Sequence, residues 1–311
     1  MDNLTKKPNF FIVGAARSGT SALYHYLKQH PDIFMSEIKE PQYFCTDFHR
    51  ESDKFFKKKV RFPIRANRHY LKLFKNVSNE KFLGEASPQY LYSKEAAKNI
   101  YHFNPSAKII ISLRNPVEVL FSLHAQLLVY SGEDILEFKK ALDIEPERRK
   151  GRYMPKGLLW PSSLYYLDWV KYCEQVKRFY DNFSKDQVKI IVFEDFKKDN
   201  IKVYKDILTF LTVDDSFKPA LSFYNSQSIP RLLFINKLLV GLGNMPIKNV
   251  LPHATKIIIN ETIRNLNKKP EKRESSGNGL RIRLFKKLKS EIENLSDIIK
   301  RDLVKLWCVE K

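Results

Sequence analysis

Two glycines, three hydroxyl side chains and one guanidinium fall within the eight residues Gly14-Ala15-Ala16-Arg17-Ser18-Gly19-Thr20-Ser21. Backbone N–H groups at a helix N-terminus point at an anion, and neighbouring hydroxyls add donors, so this set of residues suits a phosphate. The spacing from Gly14 to Gly19, followed by Thr20 and Ser21, is close to a Walker A loop. Thr20, however, stands where that loop has its lysine. The loop's one cation is Arg17, so the site is shaped for phosphate without being fitted to the γ-phosphate of ATP. A second anchor is Arg114, whose guanidinium offers a fork of donors at the end of an apolar run. Ser122 lies two turns into the next helix, roughly 9 Å along its axis from Pro116 at about 1.5 Å per residue. Alone, Arg114 also fits a surface ion pair, and Ser122 an incidental helix position.

These residues need a scaffold, and the pattern supplies one. Phe10–Gly14 is an apolar run that stops at a glycine, and Ala22–Gln29 follows with Leu23, Tyr26 and Leu27 at helical spacing. Lys108–Leu113 and Val188–Phe193 are apolar on both faces, as buried parallel strands are. Asn115 is placed to cap a helix opening at Pro116 and running to about Tyr130. Strands alternating with helices over the first 210 residues predict an α/β fold, with a P-loop-NTPase-like parallel sheet flanked by helices. Such sheets bind ligands at the carboxyl ends of their strands, which puts Gly14–Ser21, Arg114–Pro116 and Glu194 on one rim. Between these elements, 32–44 reads as irregular, 48–68 as an exposed basic insertion, and 163–183 as one long amphipathic helix. The chain reads as one domain over 1–311, with a core at about 9–215. Its helical, basic C-terminal part, about 216–311, holds apolar 232–242, polar 267–283 and a closing helix from about 284 to 307.

A chain of 311 residues with 43% hydrophobic and 13% aromatic content can bury a sizeable core. The net charge of +20 favours anionic partners such as a phosphorylated cofactor, an acidic glycan, nucleic acid or a membrane surface. Cys45, Cys173 and Cys308 have neither metal-ligand spacing nor a disulfide framework. No run reaches membrane-helix length and no signal peptide is visible, so a soluble cytoplasmic protein is expected.

Taken together, the loop 14–23 and Leu113-Arg114-Asn115-Pro116 with Ser122 resemble the two phosphate motifs of sulfotransferases that use 3′-phosphoadenosine 5′-phosphosulfate (PAPS). The chain looks closest to the Golgi heparan-type and bacterial members. His30-Pro31, Lys39-Glu40-Pro41-Gln42-Tyr43-Phe44 and Gly84-Glu85-Ala86-Ser87-Pro88-Gln89-Tyr90 match further stretches, and the likeness covers about 9–215. The resemblance implies that Arg17, Ser18, Gly19, Thr20, Ser21 and Ala22 hold the 5′-phosphosulfate. Arg114 and Ser122 would hold the 3′-phosphate, helped by a late basic loop where Arg273 is the candidate. Arg17 stands where the family usually has lysine, and an arginine there can stabilise leaving charge but not donate a proton. The resemblance points to Glu40 as the base that takes the acceptor's proton. Glu85 is a second carboxylate that could orient substrate or replace it; the heparan-type members usually have lysine at Ala86. His124, about 200° around the helix from Ser122 at ~3.6 residues per turn, fits a packed histidine better than a base.

The implied function is metal-independent transfer of a sulfuryl group from PAPS to a hydroxyl or amine, leaving 3′-phosphoadenosine 5′-phosphate. The acceptor would be an acidic glycan or glycolipid, with peripheral membrane contact and no nucleic acid. Two alternatives remain: a P-loop kinase or NTPase, and a non-catalytic polyanion-binding protein. The first needs a lysine after Gly19, which is absent; the second predicts steeply salt-dependent binding to polyanions.

Overall fold

The computed structural model describes residues 7–57, 62–221, 228–230, 268–270 and 278–308. They divide into two compact units, the first comprising 1–119, 171–225 and 288–308, and the second the remainder.

The first unit is built on a five-stranded sheet of β1 (Phe10–Gly14), β2 (Ile33–Met35), β3 (Phe82–Ala86), β4 (Lys108–Leu113) and β5 (Val188–Val192). The spatial order is β2-β3-β1-β4-β5, and every pairing is parallel. All five residues of β1 are buried, and only Lys108 of β4 is not, which is why both read as unbroken apolar runs. After β1 the chain moves outward to β2 and β3 on one side, then returns to β4 and β5 on the other. The switch point therefore lies at the carboxyl end of β1.

Helices α1 (Thr20–Leu27), α2 (Thr46–Phe56), α3 (Asn67–Leu71), α4 (Gln89–Tyr92) and α5 (Ala96–Phe103) lie between β1 and β4 in sequence. α6 (Pro116–Val129) leaves β4 and continues into the second unit. Asn115 caps it, its Oδ1 accepting the Val117 N–H at 3.0 Å, and Pro116 fills the first helical position as expected. One face of the sheet is covered by Leu23, Tyr26 and Leu27, with Tyr204, Ile207, Leu208 and Leu211 from a later helix, in one apolar core.

Four expectations are corrected. The stretch 32–44 contains the edge strand β2, too short for alternation to show. The segment 48–68 is not an exposed insertion: α2 buries Phe48, His49 and Ser52, and Phe62 is buried too. The region 163–183 is not one helix. Turns of 3₁₀ at Pro161–Leu164 and Tyr166–Val170 precede α9 (Tyr172–Tyr180), because Tyr165 and Lys171 leave helical dihedrals. The closing helix is likewise two pieces, since the left-handed Lys300 separates the last two helices.

The remaining helices are α7 (Phe138–Asp143), α8 (Glu145–Arg149), α10 (Phe193–Lys198), α11 (Asn200–Leu211), α12 (Asn278–Ile299) and α13 (Leu303–Trp307). β6 (Ser228–Pro230) and β7 (Lys268–Pro270) form a short antiparallel pair. Residues 232–242 and Arg273 lie outside the described residues.

Inside the second unit, Arg148 and Glu133 are both essentially unexposed and make a bidentate pair at 2.5 and 2.6 Å. Tyr166 donates to the same carboxylate at 2.7 Å. Burial alone would raise the Glu133 pKa, but the Arg148 hydrogen bond and charge hold it below the usual range. His124 is buried beside this cluster with Nε2 on the Ile135 carbonyl, as a packed histidine should be.

Candidate active site

The loop between β1 and α1 is set by its two glycines. Gly14 has φ +152°, and a Cβ there would lie 2.5 Å from Leu91 Cβ and 2.9 Å from the Pro88 carbonyl. Gly19 has φ +82°, and a Cβ there would meet the Phe193 ring at 2.9 Å. Both positions thus combine left-handed backbone with packing against neighbours. Gly19 is also the N-cap of α1 and has no side chain to take the first-turn N–H groups, which leaves that turn open to an anion. Thr20 is buried, while Ser21 and Ala22 are half-buried in the same turn.

Ser18 behaves differently from the other hydroxyls. It has no exposed surface, its Oγ turns back to the Ala16 carbonyl, and its own carbonyl accepts from Ser112 at 2.6 Å. Its backbone carbonyl therefore ties the loop to β4, while its side chain folds back on the loop itself.

Arg114, at the tip of β4, donates from Nη1 to the Arg17 carbonyl at 2.8 Å. Its guanidinium lies 4.9 Å from the Phe193 ring centre and 3.8 Å from Glu118. The two motifs separated by almost a hundred residues are thus tied directly, with Phe193 packed against both Gly19 and Arg114. The backbone beside Arg114 is held in turn. Tyr172 donates to the Arg114 carbonyl at 3.2 Å, and Asn115 gives its N–H to Glu194 at 3.2 Å. Glu194 also accepts from the Trp307 indole at 2.9 Å, and Asn115 Nδ2 donates to the Trp307 carbonyl at 3.0 Å. Ser122 is buried on the part of α6 that belongs to the second unit.

Glu40 sits on the segment after β2 with a left-handed backbone, φ 60°. Its N–H is tied to the Ala86 carbonyl at 3.0 Å. Its carboxylate pairs with Lys39 and accepts from Gln89 Nε2 at 2.9 Å, and its side chain is 30% exposed. Burial pushes the Glu40 pKa upward, but the Lys39 charge, the hydrogen bonds from Gln89 and Lys39, and the Arg17 charge outweigh it. The net shift is downward. Glu40 is therefore ionised at neutral pH, and the loop's cation is among the charges that keep it so.

Glu85 lies in β3, level with Phe11 of β1, and has no exposed surface. It accepts from Ser87 at 2.6 Å, Tyr70 at 2.5 Å and Tyr90 at 3.0 Å. Burial raises its pKa to about 7 despite those three donors, with the nearby Glu40 charge adding to the rise. Lys39 and Gln89 fall within stretches of the resemblance, but nothing in the sequence brings Phe193 to Arg114 or Trp307 to Asn115.

Among the described residues no helix is long and apolar enough to cross a membrane. The sequence pattern of a sulfotransferase domain matches residues 7–230. A sulfotransferase from Alicyclobacillus acidocaldarius, solved as a crystal structure, is 34% identical. That match covers 84% of this chain and 96% of the other, with a TM-score of 0.61. The bifunctional heparan sulfate N-deacetylase/N-sulfotransferase 4 of Mus musculus is 28% identical over 226 residues, 70% of this chain and 24% of that protein. The membrane-associated sulfotransferase kil1 of Dictyostelium discoideum is 31% identical over 111 residues, 36% of this chain and 21% of that protein. This chain spans between a fifth and a quarter of the length of those two relatives. With the parallel sheet, the glycine-bounded loop and the arginine that clasps it, these matches establish that the chain belongs to the sulfotransferase family.

Proposed function

We propose that this enzyme transfers a sulfuryl group from PAPS to a hydroxyl or amine of a carbohydrate or glycolipid, within one domain over 1–311. The observation that carries the reading is Glu40: a partly exposed, ionised carboxylate under the influence of Arg17, the cation of the anion loop.

The residues present fit the donor. The first turn of α1 offers N–H groups and the hydroxyls of Thr20 and Ser21 to a phosphosulfate, with Gly19 and Ala22 adding backbone. Arg114 offers its guanidinium to a second phosphate from a position fixed by the Arg17 carbonyl and Phe193. Ser18 supports the loop through its backbone. Ser122 and Arg273 are assigned to the donor on the resemblance alone, and an alanine substitution at each tests them. When bound, the donor supplies the sulfuryl group and departs as 3′-phosphoadenosine 5′-phosphate. Arg17 offsets the charge that builds on the leaving phosphate oxygen. Glu40 orients the acceptor and takes its proton, so an ionised carboxylate is the form required. Lys39 and Gln89 aim it.

Relatives named as heparan sulfate enzymes support a glycan acceptor, as does the net charge of +20. The test is transfer of labelled sulfuryl from PAPS to a panel of desulfated heparan, galactosyl lipids and simple phenols. Transfer to the glycan or glycolipid is expected, and Glu40→Gln should lower it by about 100-fold or more. Transfer to phenols alone would overturn the acceptor assignment, and full activity of Glu40→Gln would overturn the base.

A further inference from the structure

Glu85 gathers three of the side chains that hold the base-bearing segment in place, while His49 Nε2 and Asn99 Nδ2 hold the Gln42 and Phe44 carbonyls independently of it. Ser87 gives its proton to Glu85 and so turns a lone pair to the Gln42 N–H, 3.1 Å away. Tyr90 does the same one turn on, donating to Glu85 and receiving the Phe44 N–H at 3.5 Å. Tyr70, the third donor, stacks its ring on Tyr43 with centres 4.3 Å apart and planes 11° apart. Glu40 itself is bonded through its N–H to Ala86, the residue after Glu85. The segment needs such anchoring, because Glu40 and Gln42 both hold left-handed backbone at φ 60° and 55°. Non-glycine residues persist there only where their surroundings impose it.

We propose that Glu85 is the positioning residue for the base: its carboxylate polarises Ser87, Tyr70 and Tyr90 so that they clamp residues 40–44 and aim Glu40 at the acceptor. This rests on the reading of Glu40 as the base. An ionised carboxylate only accepts, so it draws all three hydroxyl protons inward and turns their lone pairs to the segment. A protonated Glu85 donates one proton, and at least one hydroxyl loses its enforced direction. The groups facing Glu85 are Tyr70 from α3, Tyr90 from α4, Ser87, the Cys45 thiol and the Glu40 carboxylate. Both tyrosines and the thiol are pushed well above their usual range, first by burial, so Glu85 is the group that changes charge near neutrality.

The test is a double-substitution cycle in the full chain with Glu40→Gln, Glu85→Gln and both together. It is read by sulfuryl transfer to desulfated heparan, by 3′-phosphoadenosine 5′-phosphate affinity, and by amide exchange at residues 42 and 44. Glu85→Gln should lower kcat by about 100-fold, the cost of roughly 1 Å of misplacement, and leave nucleotide affinity within about 2-fold. Amides 42 and 44 should exchange faster. In wild type, kcat should fall as pH drops through about 7, and Glu85→Gln should abolish that limb. On the Glu40→Gln background, Glu85→Gln should add less than about 2-fold, because it acts through the base. Multiplying losses, or an unchanged pH limb, would overturn the positioning role while leaving Glu40 as base. Full activity of Glu40→Gln would instead overturn the base reading itself. If Glu85→Gln does not fold, Ser87→Ala removes the Gln42 link together with one of the three donors to Glu85, and should show the same non-additivity.

Discussion

Arg17 has a left-handed backbone, φ 64°, in the middle of the anion loop, and its carbonyl is the point that Arg114 grips. If Arg17 acts by charge alone, Arg17→Lys should keep kcat within about 10-fold, whereas Arg17→Ala should lower it by about 100- to 1,000-fold. Steady-state kinetics on both variants checks this, and equal losses would mean that the guanidinium fork itself is needed. At the residue scale, Arg17, Arg114 and Glu40 stand out in the sequence itself, as the loop's cation, a guanidinium at a strand end and a carboxylate within the resemblance. What sequence could not separate was Glu40 from Glu85. Both are carboxylates within stretches of the resemblance, and only the fold shows one partly exposed and paired with lysine, the other sealed among hydroxyls. Ser18 is a similar case: a hydroxyl in a phosphate loop reads as a donor, while in the structure its Oγ turns back to the loop's own backbone.

At the scale of elements, the strand–loop–helix unit depends on glycine at both ends of its turn. Gly14→Ala should cost about 1–3 kcal/mol of stability, because φ +152° and Leu91 together leave no room for a methyl group, and should weaken donor binding in parallel. Thermal unfolding alongside nucleotide titration measures both. α13 carries the other element-scale consequence. Trp307 is 1% exposed and braces Glu194 and Asn115, next to Arg114. Trp307→Ala should cost about 3–5 kcal/mol and lower affinity for 3′-phosphoadenosine 5′-phosphate, although the residue need not touch it. Affinity unchanged in the folded variant would separate α13 from the site. The central strands were legible because burial on both faces writes an unbroken apolar run. The short edge strand β2 and the broken helix around Lys171 were not, because their geometry is fixed by neighbours distant in sequence.

For the whole molecule, the excess of 55 Lys and Arg over 35 Asp and Glu predicts electrostatic capture of a polyanionic acceptor. The kcat/KM for desulfated heparan should fall steeply between low and physiological salt, with the kcat for the same acceptor changing little. A salt-independent kcat/KM would point to an uncharged acceptor. The fold class followed from alternation of strands and helices, and that alternation already put the loop and Arg114 on one rim. The bond between them is tertiary and could only be seen in the structure. Calorimetry with 3′-phosphoadenosine 5′-phosphate tests that joined site most directly. Wild type should bind without added metal, and Arg114→Ala should weaken binding by about 10- to 100-fold, the worth of one charge-assisted contact to a phosphate. No binding by wild type, or equal binding by Arg114→Ala, would contradict it.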